Sequence, residues 1–149
     1  MIHEFGDMWT AWDRADLFLI TTNSYLKSPG VLVMGRGVAR QARDRFPGLD
    51  KTLGMHIDHL GCYGLLISPL WPERKLGLFQ VKGHFSHPAD LDLITKSTRE
   101  LVDWCLAHPS AEVHLNFPGI GNGQLKAEEV MPVITALPDS VHVWRYKRV

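Results

Sequence analysis

Two patterns of apolar residues alternate along this chain. One is the short run, nearly continuous or alternating, that suits a strand; the other repeats every three to four residues, as one face of a helix does. Ile2–Phe5 reads as a short strand that stops at Gly6-Asp7. Asp16–Thr22 (DLFLITT) is apolar almost throughout, which predicts a strand buried on both faces of a parallel or mixed sheet. Val38–Phe46 sets Val38, Ala42 and Phe46 four residues apart on one helical face, stopped by Pro47-Gly48. A weaker helical pattern covers Asp50–Leu60 and closes at Gly61. Gly64–Leu70 and Leu76–Val81 read as strands joined by the turn Pro72-Glu73-Arg74-Lys75.

Asp90 stands where it can cap the clearest helix, Leu91–Ala107, whose apolar stripe is Leu91, Ile94, Leu101, Val102 and Cys105. Glu112–Phe117 alternates as a strand. Lys126–Leu137 is helical in pattern, with Pro132 expected near its first turn or at a kink. Val141–Tyr146 is the last strand. Strands separated by helices predict an α/β fold, a three-layer α/β/α sandwich around a central mixed sheet.

Composition narrows the function classes. At 149 residues, 45% of them hydrophobic, the chain suits one globular domain over residues 1–149. Sixteen basic residues balance sixteen acidic ones, so the basic excess of a general nucleic-acid binder is missing. Only Arg145, Lys147 and Arg148 make the tail locally basic. Cys62 and Cys105 form no CxxC, and Cys105 falls on a helix stripe, which fits a reduced core thiol. Met1–Asp7 carries no secretory pattern, and no stretch approaches the roughly 20 apolar residues of a membrane span. A cytoplasmic protein with no membrane partner is expected. His84 and His87, like His56 and His59, have H-x-x-H spacing, but no third ligand accompanies them; no metal is expected.

Two glycine-rich loops carry the candidate chemistry. Val33-Met34-Gly35-Arg36-Gly37-Val38 leads into a helix, and Pro118-Gly119-Ile120-Gly121-Asn122-Gly123 lies between strand and helix. Glycine lets the backbone approach a ligand, and helix N-termini point free N–H groups at an anion. One such loop is accounted for by a tight turn; two at equivalent junctions favour a clamp on a diphosphate. Neither is a P-loop or a GxGxxG turn.

These segments resemble macro domains. Gly6-Asp7-Met8 is similar to the GDI that opens the family, and Ile20-Thr21-Thr22-Asn23-Ser24 followed by Gly35-Arg36-Gly37-Val38-Ala39 to its NAAN…GGGV segment. Pro118–Gly123 resembles the family's P-x-I-G-x-G loop. The matches come in the family's order and span nearly the whole chain. The resemblance implies the macro fold and ADP-ribose as ligand, with no cofactor. It implies that Asp7 accepts a hydrogen bond from the adenine amino group, with Met8 beside it. Gly35, Arg36, Gly37 and Val38 would hold the diphosphate from one side, and Gly119, Ile120, Gly121, Asn122 and Gly123 from the other. Asn23 would lie near the distal ribose. The five tryptophans are scattered, so core packing is their default, with Trp9, close to Asp7, a candidate to flank the adenine. The plain alternatives are a turn or N-cap role for Asp7 and a strand-end asparagine bonding its own backbone at Asn23.

One branch of the family places an aspartate directly after the first glycine loop to hydrolyse ADP-ribosyl esters; this chain has Ala39 there. A second branch, with terminal ADP-ribose glycohydrolase and antitoxin-type DNA ADP-ribosyl glycohydrolases, carries a lysine in a T-K-x-x-x-S context. Val81-Lys82-Gly83-His84-Phe85-Ser86 resembles it and implies that Lys82 acts on the anomeric carbon of the distal ribose. An amine attacks only when neutral, and burial lowers a lysine pKa from its usual value of about 10.4. The alternatives are a surface lysine or a phosphate contact. The aspartate that this branch keeps after the second loop is missing here, which leaves His84 or Glu128 for proton transfer, Glu128 also suiting a helix N-terminus. The expected function is binding of ADP-ribose and hydrolysis of an ADP-ribosyl linkage on a protein or nucleic acid. A module that only binds, and an ADP-ribose 1″-phosphate phosphatase, are the alternatives.

Overall fold

The computed structural model of the chain describes residues 1–28, 30–60, 64–67 and 75–146. Cys62, the stop at Gly61, the turn residues Pro72, Glu73 and Arg74, the strand beyond Ile67, the tail at Lys147 and Arg148, and the side chain of His59 lie outside the described residues.

The run Asp16–Thr22 forms β2 (Leu17–Asn23), and its two-sided apolar character is what the sheet uses. Leu17 and Leu19 face one core and Phe18 and Ile20 the other, all at most 1% exposed. Around β2 lie β1 (Ile2–Phe5), β5 (Leu65–Ile67), β6 (Leu76–Lys82), β7 (Val113–Asn116) and β8 (Val141–Arg145). The sheet order is β1-β8-β7-β2-β6-β5. Every neighbouring pair is parallel except β5 with β6, so the sheet is mixed.

One face is covered by α1 (Gly37–Arg45), α2 (Leu49–Leu60) and a 3-10 helix at Met8–Arg14, the other by α3 (Leu91–Ala107) and α4 (Ala127–Ile134). The result is a three-layer α/β/α sandwich. Asp90 caps α3 by accepting from Asp92 N at 2.9 Å, as its position in the sequence predicts. Pro132 lies in the second turn of α4 rather than the first, and Lys126 N donates to Glu129 Oε2 at 3.1 Å to close that helix's start.

Three features differ from the sequence reading. The 3-10 helix at Met8–Arg14 brings Trp9 and Trp12 against Phe18 and Phe46, with ring centroids 4.7–6.3 Å apart. A separate two-stranded sheet, β3 (Leu26–Lys27) with β4 (Val31–Leu32), precedes the first glycine loop. Several ends also shift by a residue or more: α1 starts at Gly37, and α4 ends at Ile134 because the chain turns before Leu137. Among the described residues no helix is long and apolar enough to cross a membrane.

Candidate active site

Parallel strands bring their carboxyl ends to one edge of the sheet, where the loops leave room for a ligand. In this chain the ends of β8, β7, β2 and β6 lie side by side in that order and open into a cleft of about 1590 Å³. At about 4.8 Å per neighbour, the ends of β8 and β6 stand roughly 14 Å apart. Both glycine loops line the cleft, and so do Asn23, Lys82, Arg145 and Tyr146.

The first loop ends at Gly37, whose φ of +60° is costly for any residue with a side chain. A Cβ there would also meet Asn122 Nδ2 at 3.3 Å, so the two loops touch across the cleft. Arg36, at the N-cap of α1, gives no side-chain cap, which leaves first-turn N–H groups facing the opening. In the second loop Gly119 has φ +83°, and a Cβ would come within 2.8 Å of Ile94 Cδ1; this glycine lets the loop pack on α3. Gly121–Gly123 is a 3-10 turn, again with no side-chain cap. Arg36, Lys82, Lys126 and Arg145 line the cleft against one carboxylate, Glu128, and none of the four cations is ion-paired among the described residues. A chain of zero net charge therefore concentrates positive charge here.

Lys82 stands at the β6 end. The β2–β6 register shifts at Thr22/Asn23, so that Thr22 pairs with Gln80 and Asn23 with Lys82; the extra residue, Val81, re-aims the strand end. Lys82 Nζ donates to Phe85 O at 3.1 Å and Asn122 O at 3.3 Å. Burial first, and the nearby Arg36 charge second, push its pKa below the usual lysine value. Asn23 Nδ2 donates to Val33 O at 3.0 Å and its Oδ1 accepts from Tyr25 N at 2.9 Å, so this side chain holds the chain that leads into the first loop.

Solved structures share this architecture. The chain matches the macrodomain of Thermus aquaticus DarG at TM-score 0.71 and 26% identity, over 98% of this chain and 97% of that one. The fold is that of a macrodomain. The macrodomain of Mycobacterium tuberculosis DarG matches at TM-score 0.70 and 24% identity, over 98% and 97% of the two chains. Thermosipho africanus DarTG in complex with ADP-ribose matches at TM-score 0.76 and 20% identity; all of this chain corresponds to 43% of that one. No family model matches the sequence, and no curated protein matches it.

The cleft does not gather every residue that the sequence points to. Gly35, Arg36, Gly37, Val38, Gly119, Ile120, Gly121, Asn122, Gly123, Asn23 and Lys82 line the cleft. Asp7, Met8 and His84 are not among the residues that do. Asp7 Oδ1 accepts from Trp9 N at 3.0 Å and caps the 3-10 helix, and Met8 is 3% exposed in the core. Trp9 packs in the core, the default for a scattered tryptophan: it is 7% exposed, and its Nε1 donates to Gln41 Oε1 at 2.8 Å. His84 Nδ1 pairs with Ser86 Oγ at 2.7 Å and its ring stacks on Phe85 at the rim.

The sequence reading missed a buried chain of side chains behind the cleft. Trp144, which lines the cleft, donates Nε1–H to His114 Nδ1 at 2.8 Å. An indole nitrogen only donates, so Nδ1 is the acceptor and His114 carries its proton on Nε2. That N–H donates to Glu112 Oε2 at 2.7 Å. Burial foremost pushes the His114 pKa down, and the bond from His114 pulls the Glu112 pKa down. His142 stacks on His114 at 4.7 Å, so Glu112, His114 and His142 have the spacing of a metal cluster. The tautomer argues against that use, because neither His114 nitrogen keeps a free lone pair. The chain instead fixes the Trp144 indole in the cleft wall. The signal was there in the alternation of Glu112 and His114, but their partner lies 30 residues on.

Proposed function

We propose that this macrodomain binds ADP-ribose in the cleft and hydrolyses an ADP-ribosyl linkage on a protein or nucleic acid. The observation that carries this reading is the cleft's layout. Two uncapped glycine loops, suited to a diphosphate, line the cleft together with four cations that have no ion pair among the described residues, and one of these, Lys82, has a lowered pKa and stands at one end. The sequence resemblance, and the ADP-ribose held by Thermosipho africanus DarTG, support the choice of ligand.

In the reaction, neutral Lys82 Nζ attacks the anomeric carbon of the distal ribose. The bond from that carbon to its leaving oxygen or nitrogen breaks with its electron pair, and the leaving group takes a proton. Water then hydrolyses the lysine–sugar bond, which returns the amine and releases ADP-ribose. Glu128 lines the cleft and His84 does not, which favours Glu128 as the proton carrier. Asn23 supports the site by holding the approach to the first loop.

One observation favours a module that only binds. Two carbonyl oxygens accept from Lys82 Nζ, and such partners stabilise the charged amine, which suits a phosphate contact. Turnover decides between the readings. The wild-type protein is incubated with ADP-ribosylated protein, ADP-ribosylated DNA and ADP-ribose 1″-phosphate, and products are separated by chromatography. The expected result is free ADP-ribose from at least one of the first two. No product from any substrate leaves a binding module, and product from the third alone makes the protein a phosphatase.

A further inference from the structure

The Trp144–His114–Glu112 chain lies behind the cleft and takes no part in the reaction proposed above. His114, on β7, is 0% exposed. Each of its ring nitrogens has a partner: Nδ1 accepts from Trp144 Nε1, and Nε2 donates to Glu112 Oε2. Glu112 Oε2 is shared with Arg14 Nε, 3.2 Å away at the end of the 3-10 helix. On the other side the His142 ring stacks on His114 with the planes 16° apart, and His142 Nδ1 lies 3.0 Å from Glu4 Oε1 on β1. Among the described residues, the charged and titratable groups around His114 are thus Glu112 and Arg14 on one side and His142 and Glu4 on the other.

This arrangement admits one protonation state of His114. A second proton goes on Nδ1, the ring nitrogen that still has a lone pair in its plane. There it would face the Trp144 N–H, donor against donor, and the indole nitrogen has no acceptor to offer instead. The charged ring and the present position of the indole therefore exclude each other. Burial foremost holds the His114 pKa below the ordinary value of 6.5; the bond to Glu112 pulls it up, and the His142 and Arg14 charges add to the lowering. The Glu112 side chain is 36% exposed, so the buried ring is one hydrogen bond from a group that meets water.

We infer that neutral His114 is a positioning residue that latches the Trp144 indole into the cleft wall, and that its protonation releases the indole and weakens ligand binding. Affinity is then full above the His114 pKa and falls as the pH drops through it. The ligand is ADP-ribose, so the effect on affinity rests on the reading above; the release of Trp144 does not.

The test follows the wild-type protein from about pH 8 to about pH 4.5, a range that spans histidine titration. Nuclear magnetic resonance follows the Trp144 indole N–H, identified by its loss in Trp144→Phe, and calorimetry follows the affinity for ADP-ribose. A thermal melt at each pH checks the fold. The indole resonance should shift with a midpoint below about 6.5, and affinity should fall by about tenfold or more at the same midpoint. Glu112→Gln removes the charge that favours the imidazolium and keeps a hydrogen-bonding group, so both midpoints should move to lower pH. His114→Asn offers the indole an oxygen in place of Nδ1 that takes up no proton, and both transitions should disappear. An indole resonance that does not move across the range overturns the inference, as does a loss of affinity that persists unchanged in His114→Asn. An indole that titrates in a protein that binds no ADP-ribose removes the ADP-ribose reading and leaves the latch standing.

Discussion

Lys82→Ala abolishes release of ADP-ribose, by about a thousandfold or more, and leaves the affinity for free ADP-ribose within about threefold of wild type. The split follows from what the side chain is asked to do. A nucleophile forms its bond in the transition state, so its loss falls on the rate; a group that only holds phosphate is lost from ground state and transition state alike. The pH dependence carries the same signature. The neutral amine is the reactive form, so the rate rises with pH until the Lys82 pKa is passed. Burial and Arg36 set that pKa below the usual lysine value. Arg36→Ala removes a cationic neighbour, raises the Lys82 pKa, and moves the rising limb to higher pH. Rates measured from about pH 6 to 10, below the ordinary lysine value of about 10.4, check this. Loss of binding together with activity in Lys82→Ala would make the lysine a phosphate contact.

Gly37→Val removes ADP-ribose binding, by about a hundredfold or more, from a protein that still folds. The backbone there has φ +60°, a region that costs a side-chain-bearing residue about 1–2 kcal/mol. A small domain has about 5–15 kcal/mol of stability, so the fold survives that strain. The site does not, because the new Cβ would sit 3.3 Å from Asn122 Nδ2, between the two loops. The added methyl groups then fill the gap that a diphosphate would enter. Gly37→Ala should fall between wild type and Gly37→Val. Calorimetry alongside a thermal melt reads both quantities; a folded Gly37→Val protein with normal affinity would show that this loop does not line the site.

Elements set by local pattern were legible in the sequence. DLFLITT announced a strand buried on both faces, and β2 is central, with leucines at 17 and 19 and Phe18 and Ile20 feeding opposite cores. Asp90 announced the start of α3. The glycine loops and Lys82 were placed by motif order, and the structure brings them into one cleft. What pattern could not give was pairing between distant residues. Sheet order, the Thr21–Asn116 bonds across 95 residues and the Trp144–His114–Glu112 chain depend on tertiary contact. Asp7 shows the converse limit. A Gly-Asp before a helical turn serves equally as a ligand contact or as a cap; Asp7 caps the 3-10 helix through Oδ1 alone, accepting from Trp9 N, so the cap and a ligand contact are not alternatives that pattern can separate.

The central claim is that one ligand spans the cleft from the β8 end to Lys82, with its diphosphate between the loops. Calorimetric titration of the wild-type protein with ADP-ribose and, separately, with AMP tests it most directly, since AMP keeps the base but lacks the diphosphate bridge and the distal ribose. The account predicts binding of ADP-ribose at least about tenfold tighter than AMP. Equal affinity for the two, or no binding of ADP-ribose, would contradict it.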